Sequence, residues 1–197
     1  ARMALWLEGF AEGEPLGFLD HHLQVGDALL GLTDLKMLET GISKDAFKVL
    51  SGDDKNICKL LNVQNTQALK QLKLQRKSPQ FKLPLQQHNS LAALHALENL
   101  PQDTLEQIVA KEKAYFEFLE QTLVIPMRNA ADMLVGAYLL EKTAINQNRV
   151  PTTANIMLEL MADADNHDEA HQAKRDAAQQ ACNGASVFHW PLAFPQV

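Results

Sequence analysis

Residues able to do chemistry gather in three short stretches of the chain. The first is "FLDHHLQVGDALLGL", residues 18–32, which holds two adjacent histidines followed by a Gly-Asp step. On a strand, neighbouring side chains point to opposite faces, so His21 and His22 reach one metal ion only across a bend. A glycine that closes a strand and is followed by an aspartate is more useful. It is how an open α/β sheet presents an acceptor to an amino group or a ribose. Gly26 and Asp27 stand in that order.

The second stretch is "HDEAH", with His167 and His171 four apart on one helical face and Asp168 and Glu169 between them. This is the layout of a zinc-hydrolase H-E-x-x-H helix, except that Asp168 is one methylene shorter than the glutamate used there as general base. No third ligand follows downstream, and a hydrated face rich in acids and amides accounts for the same letters. Neither cysteine adjoins a patterned histidine, and the chain has no G-x-S-x-G and no glycine-rich phosphate loop. No catalytic residue and no metal is therefore expected within these 197 residues.

The third stretch is basic. Lys55, Lys59, Lys70, Lys73, Arg76, Lys77 and Lys82 fall in a run without a single acid. With these seven positive charges set aside, the formal net charge of -6 leaves about -13 on the remainder. A basic strip on an acidic body steers a polyanion, although a solvated helix face reads the same way.

The elements that must position these residues are mostly helical. A turn-rich connector at 9–17 precedes a short strand within 18–32 that ends at Gly26. Thr33 or Asp34 caps a short helix that Gly41 stops, "SKDAF" makes a turn or two, and Asp53 or Asp54 caps a helix from about Lys55 to Arg76. That helix has a weak point at "NVQNTQ" and ends at Pro79 and Pro84. Leu91, Leu94 and Leu97 mark a shorter helix. The strongest periodicity runs from 102 to 124 through Leu105, Ile108, Val109, Phe116, Leu119 and Leu123. Pro126 introduces a bend, and Met133, Leu134, Ala137 and Leu140 trace the next face. Thr152 or Thr153 caps a helix bearing Ile156, Leu160 and Met161. A last helix, about 166–184, has Ala170, Ala173, Ala177 and Ala181 on its inner face and is stopped by Gly184. Short connections favour antiparallel packing in a bundle-like array.

Composition sets the outer limits. A hydrophobic fraction of 46% and a charged fraction of 21% are ordinary for a globular protein. No apolar stretch approaches the ~20 residues a bilayer needs, so no membrane partner is expected. "ARMALWLEGF" lacks a cleavage site and reads as the end of an amphipathic helix. Cys58 and Cys182 are far apart, which fits a reduced, cytoplasmic chain without a disulfide framework.

Three stretches carry a resemblance. "ARMALWLEGFAEGEPLGFLDHHLQVGDALLGL" resembles the S-adenosylmethionine-binding part of adenine-specific DNA methyltransferases of the restriction-modification and phage-defence type. "GISKDAFKVLSGDDK" looks like that family's continuation. "FHWPLAFPQV" is similar to the "FHWPLEFPEV" that precedes its catalytic strand. Together they cover about 60 residues, in the family's order.

The resemblance implies a mainly α chain: a helical bundle-like insertion, 33–184, flanked by short segments of a split α/β, Rossmann-like methyltransferase domain at 1–32 and 185–197. The family's glycine-bearing cofactor loop and ribose-gripping acid would precede Ala1. Its Asn-Pro-Pro-aromatic motif would follow Val197, and the fragment alone would be inactive. Asp27 would accept a hydrogen bond from the adenine amino group of S-adenosylmethionine, with Ala28 and Leu29 lining the ring. His21 and His22 would be strand residues, and Trp190 and Phe194 would seat the next strand. Methylating adenine N6 requires a flipped base, so the enzyme must hold DNA by its phosphates. The basic strip would make those contacts, or else the insertion is a spacer or docking face. Leu5, Trp6, Phe188 and Trp190 are apolar groups that self-association of the fragment would cover. Two other readings compete: a non-enzymatic helical module that binds nucleic acid or a partner protein, and a zinc hydrolase at His167 and His171.

Overall fold

Asp54 starts the longest helix. Its carboxylate accepts the N–H groups of Asn56 at 2.7 Å and Ile57 at 3.3 Å, satisfying donors that have no partner inside the helix. The structure, a computed structural model, describes residues 2–9, 23–78, 95–119, 124–161 and 168–194. His21, His22, Lys82, Leu91, Leu94, Leu123 and His167 lie outside the described residues, as does the side chain of Trp6.

The fold is mainly helical. In chain order the helices are α1 (Arg2–Glu8), α2 (Lys36–Thr40), α3 (Lys55–Gln75), α4 (Leu105–Leu119), α5 (Val124–Leu139), α6 (Thr153–Met161), α7 (Glu169–Gly184) and α8 (Trp190–Ala193), with a 3₁₀ turn at Lys44–Phe47. Among the described residues the expected strand is reduced to one isolated parallel bridge between Asp27 and Val187. No Rossmann-like sheet is formed by them.

The main core lies where α5, α6 and the 35–47 segment meet α3 and α7. Leu32, Leu38, Ile42, Met133 and Ile156 are fully buried there. Each such side chain withdrawn from water contributes about 2 kcal/mol. The tightest pair is α5 against α7. A Cβ at Gly136 would stand 2.7 Å from that of Ala178, so the two backbones approach closely only because small residues face each other. The expected apolar face of α5 is correct, with Met133, Leu134 and Ala137 buried.

Several expectations are corrected. The helix α3 runs unbroken through "NVQNTQ", because Asn65 is fully buried and its amide is satisfied by tertiary partners. It accepts Thr153 N–H and the Thr153 hydroxyl at 2.8 Å each and donates to Ile42 O at 2.7 Å, while Ile42 N–H donates to Thr153 Oγ1 at 2.9 Å. Pro126 does not bend a helix but sits in the first turn of α5, where its missing N–H costs nothing.

The buried face of α4 is not the expected one. Tyr115 and Phe118 are buried against Leu97 with the expected Ile108 packed on them, and Lys111 is buried as well, whereas Leu105, Val109 and Phe116 are exposed. Lys111 lays its stem inward and donates its ammonium to the carbonyls of Glu98 at 2.9 Å and Leu100 at 3.4 Å. A lysine can thus fill a core position by closing a neighbouring turn. On α7 the buried residues are His171, Ala177, Ala178 and Cys182, with Ala170 and Ala173 exposed. That helix does end at Gly184 as expected, but the left-handed residue that turns the chain is Ser186, with φ of 53°, while Ser186 N–H reaches Asn183 O and Val187 N–H reaches Cys182 O, as in a Schellman end.

Candidate functional site

The two segments that carry the resemblance at either end of the helical body come back side by side. Asp27 N–H donates to Ser186 O at 2.7 Å, Phe188 N–H to Leu30 O at 2.8 Å and Trp190 N–H to Leu32 O at 3.0 Å. Side chains add to the pairing. Trp190 Nε1 donates to Ala28 O at 3.1 Å, and His189 Nδ1 accepts Leu32 N–H at 3.2 Å. The glycines of "VGDALLG" have a local reason. A Cβ at Gly26 would press on the Phe188 ring at 2.7 Å, and Gly31, at φ of 129°, lies against the Phe188 carbonyl.

Asp27 sits at this junction and is exposed, as are Ala28 and Leu29. Its Oδ1 accepts Leu29 N–H at 2.9 Å, a self-made turn that fixes the carboxylate. Phe188, Trp190 and Phe194 pack on one another with centroids 5.0–6.0 Å apart.

Beside the junction opens a cleft of about 430 Å³. Arg128 and Asp132 face it from α5, Gln179 and Asn183 from α7, and Tyr115 from α4. Val25, Phe188, His189 and Leu192 come from the paired segments. His189 Nε2 lies 3.0 Å from Asp132 Oδ1. Because Nδ1 already accepts Leu32 N–H, Nε2 is the protonated nitrogen and donates to the carboxylate. Gln24 Nε2 donates to the Tyr115 hydroxyl at 3.0 Å. Burial pushes the Tyr115 hydroxyl above its usual range, with Gln24 and Arg128 pulling it back. Burial also drives the Cys182 thiol, 3.4 Å from Asp132 O, far above an ordinary thiol, so it is no nucleophile.

The lysines fall on one stripe. At about 100° per residue, Lys55, Lys59, Lys70 and Lys73 share a sector roughly 60° wide, beside the buried face of α3, and Lys77 follows in the turn after its end. All are exposed. The four helical lysines span about 27 Å at about 1.5 Å per residue. Arg76 stands apart, engaged with Glu39 through an ion pair at 3.3 Å and a hydrogen bond to its carbonyl at 3.2 Å.

Two of the "HDEAH" residues, Asp168 and His171, are engaged elsewhere. Asp168 caps α7 by accepting His171 N–H at 2.7 Å, and His171 is buried with Nε2 2.7 Å from Glu159 Oε2. Asn129 donates to the other Glu159 oxygen at 2.7 Å. No group of three metal-ligating side chains occurs among the described residues, and no helix there is long and apolar enough to cross a membrane.

Sequence reading missed the cleft. Its groups lie on five separated segments, and no short spacing joins Arg128 and Asp132 to His189. The one available signal was His189 itself, in "FHWPLAFPQV". Comparison of the chain with models of protein families, with curated proteins and with solved structures gave no match.

Proposed function

We propose that the chain is the central part of an adenine-specific DNA methyltransferase that uses S-adenosylmethionine. The observation that carries this reading is the parallel pairing of 27–32 with 186–190 across a helical body of more than 150 residues. An insertion between two pieces of one sheet must return the chain to the point at which it left, running in the same sense. That supports a helical insertion within a split Rossmann-like domain. On this reading the exposed Asp27 carboxylate at the junction would receive the cofactor's adenine amino group, with Ala28 and Leu29 along its ring. Cys58 and Cys182 are both free thiols, in keeping with a reducing cytoplasm. The stripe Lys55, Lys59, Lys70, Lys73 and Lys77 would hold DNA phosphates.

Methyl transfer to duplex DNA, assayed on the chain together with the reading frame flanking it, tests the proposal. N6-methyladenine should form, and Asp27→Ala should raise KM for S-adenosylmethionine about tenfold, the cost of one charge-assisted hydrogen bond. Flanks without an Asn-Pro-Pro-aromatic tetrad would sink it. The lysine stripe alone favours a second reading, a non-enzymatic module that grips nucleic-acid phosphates.

A further inference from the structure

We infer that the cleft between α4, α5, α7 and the paired segments binds a nucleotide whose base bears an exocyclic amino group, its phosphate on Arg128 and its amino edge on Asp132. The inference stands apart from the methyl-transfer reading, since neither Asp27 nor the lysine stripe lines this cleft.

The charges make the first argument. Arg128 and Asp132 are one turn apart on α5, the spacing at which arginine and aspartate pair along a helix. They are not paired. Asp132 gives Oδ1 to His189, and Arg128 has no ion pair among the described residues. The cleft therefore holds a half-buried guanidinium able to take a phosphate through two N–H groups. Asp132 Oδ2 likewise has no partner among the described residues and is not sealed off. An ionised carboxylate only accepts, so what it asks for is a donor such as an amino group.

The walls make the second. Phe188, with Val25 and Leu192, offers an apolar side suited to a flat ring. Gln179 and Asn183, both exposed and four apart on α7, offer amides that both donate and accept, as the edge of a heterocycle does. A simple carboxylate would leave Asp132 and the apolar wall unused, and an aliphatic amino acid would leave the amides unused. At about 430 Å³ the cleft is at the small end of ligand sites. The nucleotide can come free or as an unstacked residue of a single strand.

Calorimetric titration of the chain with AMP, adenosine, UMP, oligo(dA) and oligo(dT) tests this. AMP should bind saturably, and adenosine and UMP about tenfold more weakly each. Arg128→Gln should make AMP resemble adenosine, and Asp132→Asn should make AMP resemble UMP. The exposed pair Gln179→Ala and Asn183→Ala should weaken AMP without moving Tm, which keeps the test open if Asp132→Asn unfolds. Oligo(dA) binding more tightly than both AMP and oligo(dT) identifies a strand as the source; AMP binding with no preference for oligo(dA) over oligo(dT) identifies a free nucleotide. Equal affinity for AMP and UMP, equal affinity for AMP and adenosine, or no saturable binding would each overturn the inference.

Discussion

His189 and Asp132 face each other at 3.0 Å from segments 57 residues apart, and the tautomer this fixes lets the other ring nitrogen hold Leu32 N–H. One imidazole thereby fastens the C-terminal segment both to α5 and to its parallel neighbour. His189→Ala leaves a buried N–H and a buried carboxylate unmet, at about 2 kcal/mol. Urea denaturation should register that loss, and hydrogen exchange at Leu32 should accelerate. Unchanged exchange at Leu32 would mean the imidazole does not anchor the pairing.

Asn65, Thr153 and Ile42 form a closed ring of hydrogen bonds. Removing the amide with Asn65→Ala strands a carbonyl and two donors and should cost about 3 kcal/mol. Thr153→Val, which keeps the shape but not the hydroxyl, should cost about 1.5 kcal/mol. The two share partners, so the double variant should lose less than their sum, by a margin a double-mutant cycle resolves.

Ser186 adopts the left-handed conformation that closes α7. A side chain there is strained by about 1 kcal/mol, a cost glycine avoids. Ser186→Gly should raise Tm by a few degrees, and Ser186→Val should lower it by more. A fall in Tm for the glycine variant would show that the serine side chain has a role beyond the turn.

The pH dependence has two ends. Burial raises the Asp53 carboxyl, but the N–H groups of Lys142 and Leu50 outweigh it and leave it below 3.8. Its contribution is complete above that value and is lost as pH falls through the folded pKa. Burial holds the Lys142 ammonium below its usual 10.5, against the pull of Asp53 and Cys58. The unfolded chain binds the extra proton, so this group adds stability as pH climbs toward 10.5. Burial and Asp53 raise the Cys58 thiol above 9.0, a contribution complete below that pH and lost as pH rises through its folded value. The raised Cys182 thiol and Tyr115 hydroxyl lose stability over the same range. In a Cys58→Ala background the alkaline gain is therefore read as the difference at each pH between chains with and without Lys142. Lys142→Met should abolish it.

Local chemistry was legible in the sequence: the Asp54 cap, the Gly41 stop and the buried face of α5 all follow from short-range rules. What was not legible depended on distant partners. Asn65 in "NVQNTQ" reads as a helix breaker until Thr153 and Ile42 surround it, and Lys111 reads as surface until the carbonyls of Glu98 and Leu100 receive it. The Gly-Asp step gave the position of Asp27, but nothing within reach of periodicity could place Arg128, Asp132 and His189 around one cleft.

The lysine stripe carries the last prediction. Lys59, Lys70 and Lys73 are exposed and share one side of α3, so replacing them with glutamine should leave Tm nearly unchanged. If the three contact phosphates, each releases about 0.9 counterion, and the slope of log K against log salt should become shallower by about 2.7. The loss should be the same for duplexes of any sequence, since phosphate contacts carry no base information. Arg76→Gln should behave differently, because its guanidinium is committed to Glu39. It should cost a few tenths of a kcal/mol in stability, as an exposed ion pair does, and leave the salt slope where it was. A triple variant with an unaltered slope would reduce the stripe to a solvated helix face.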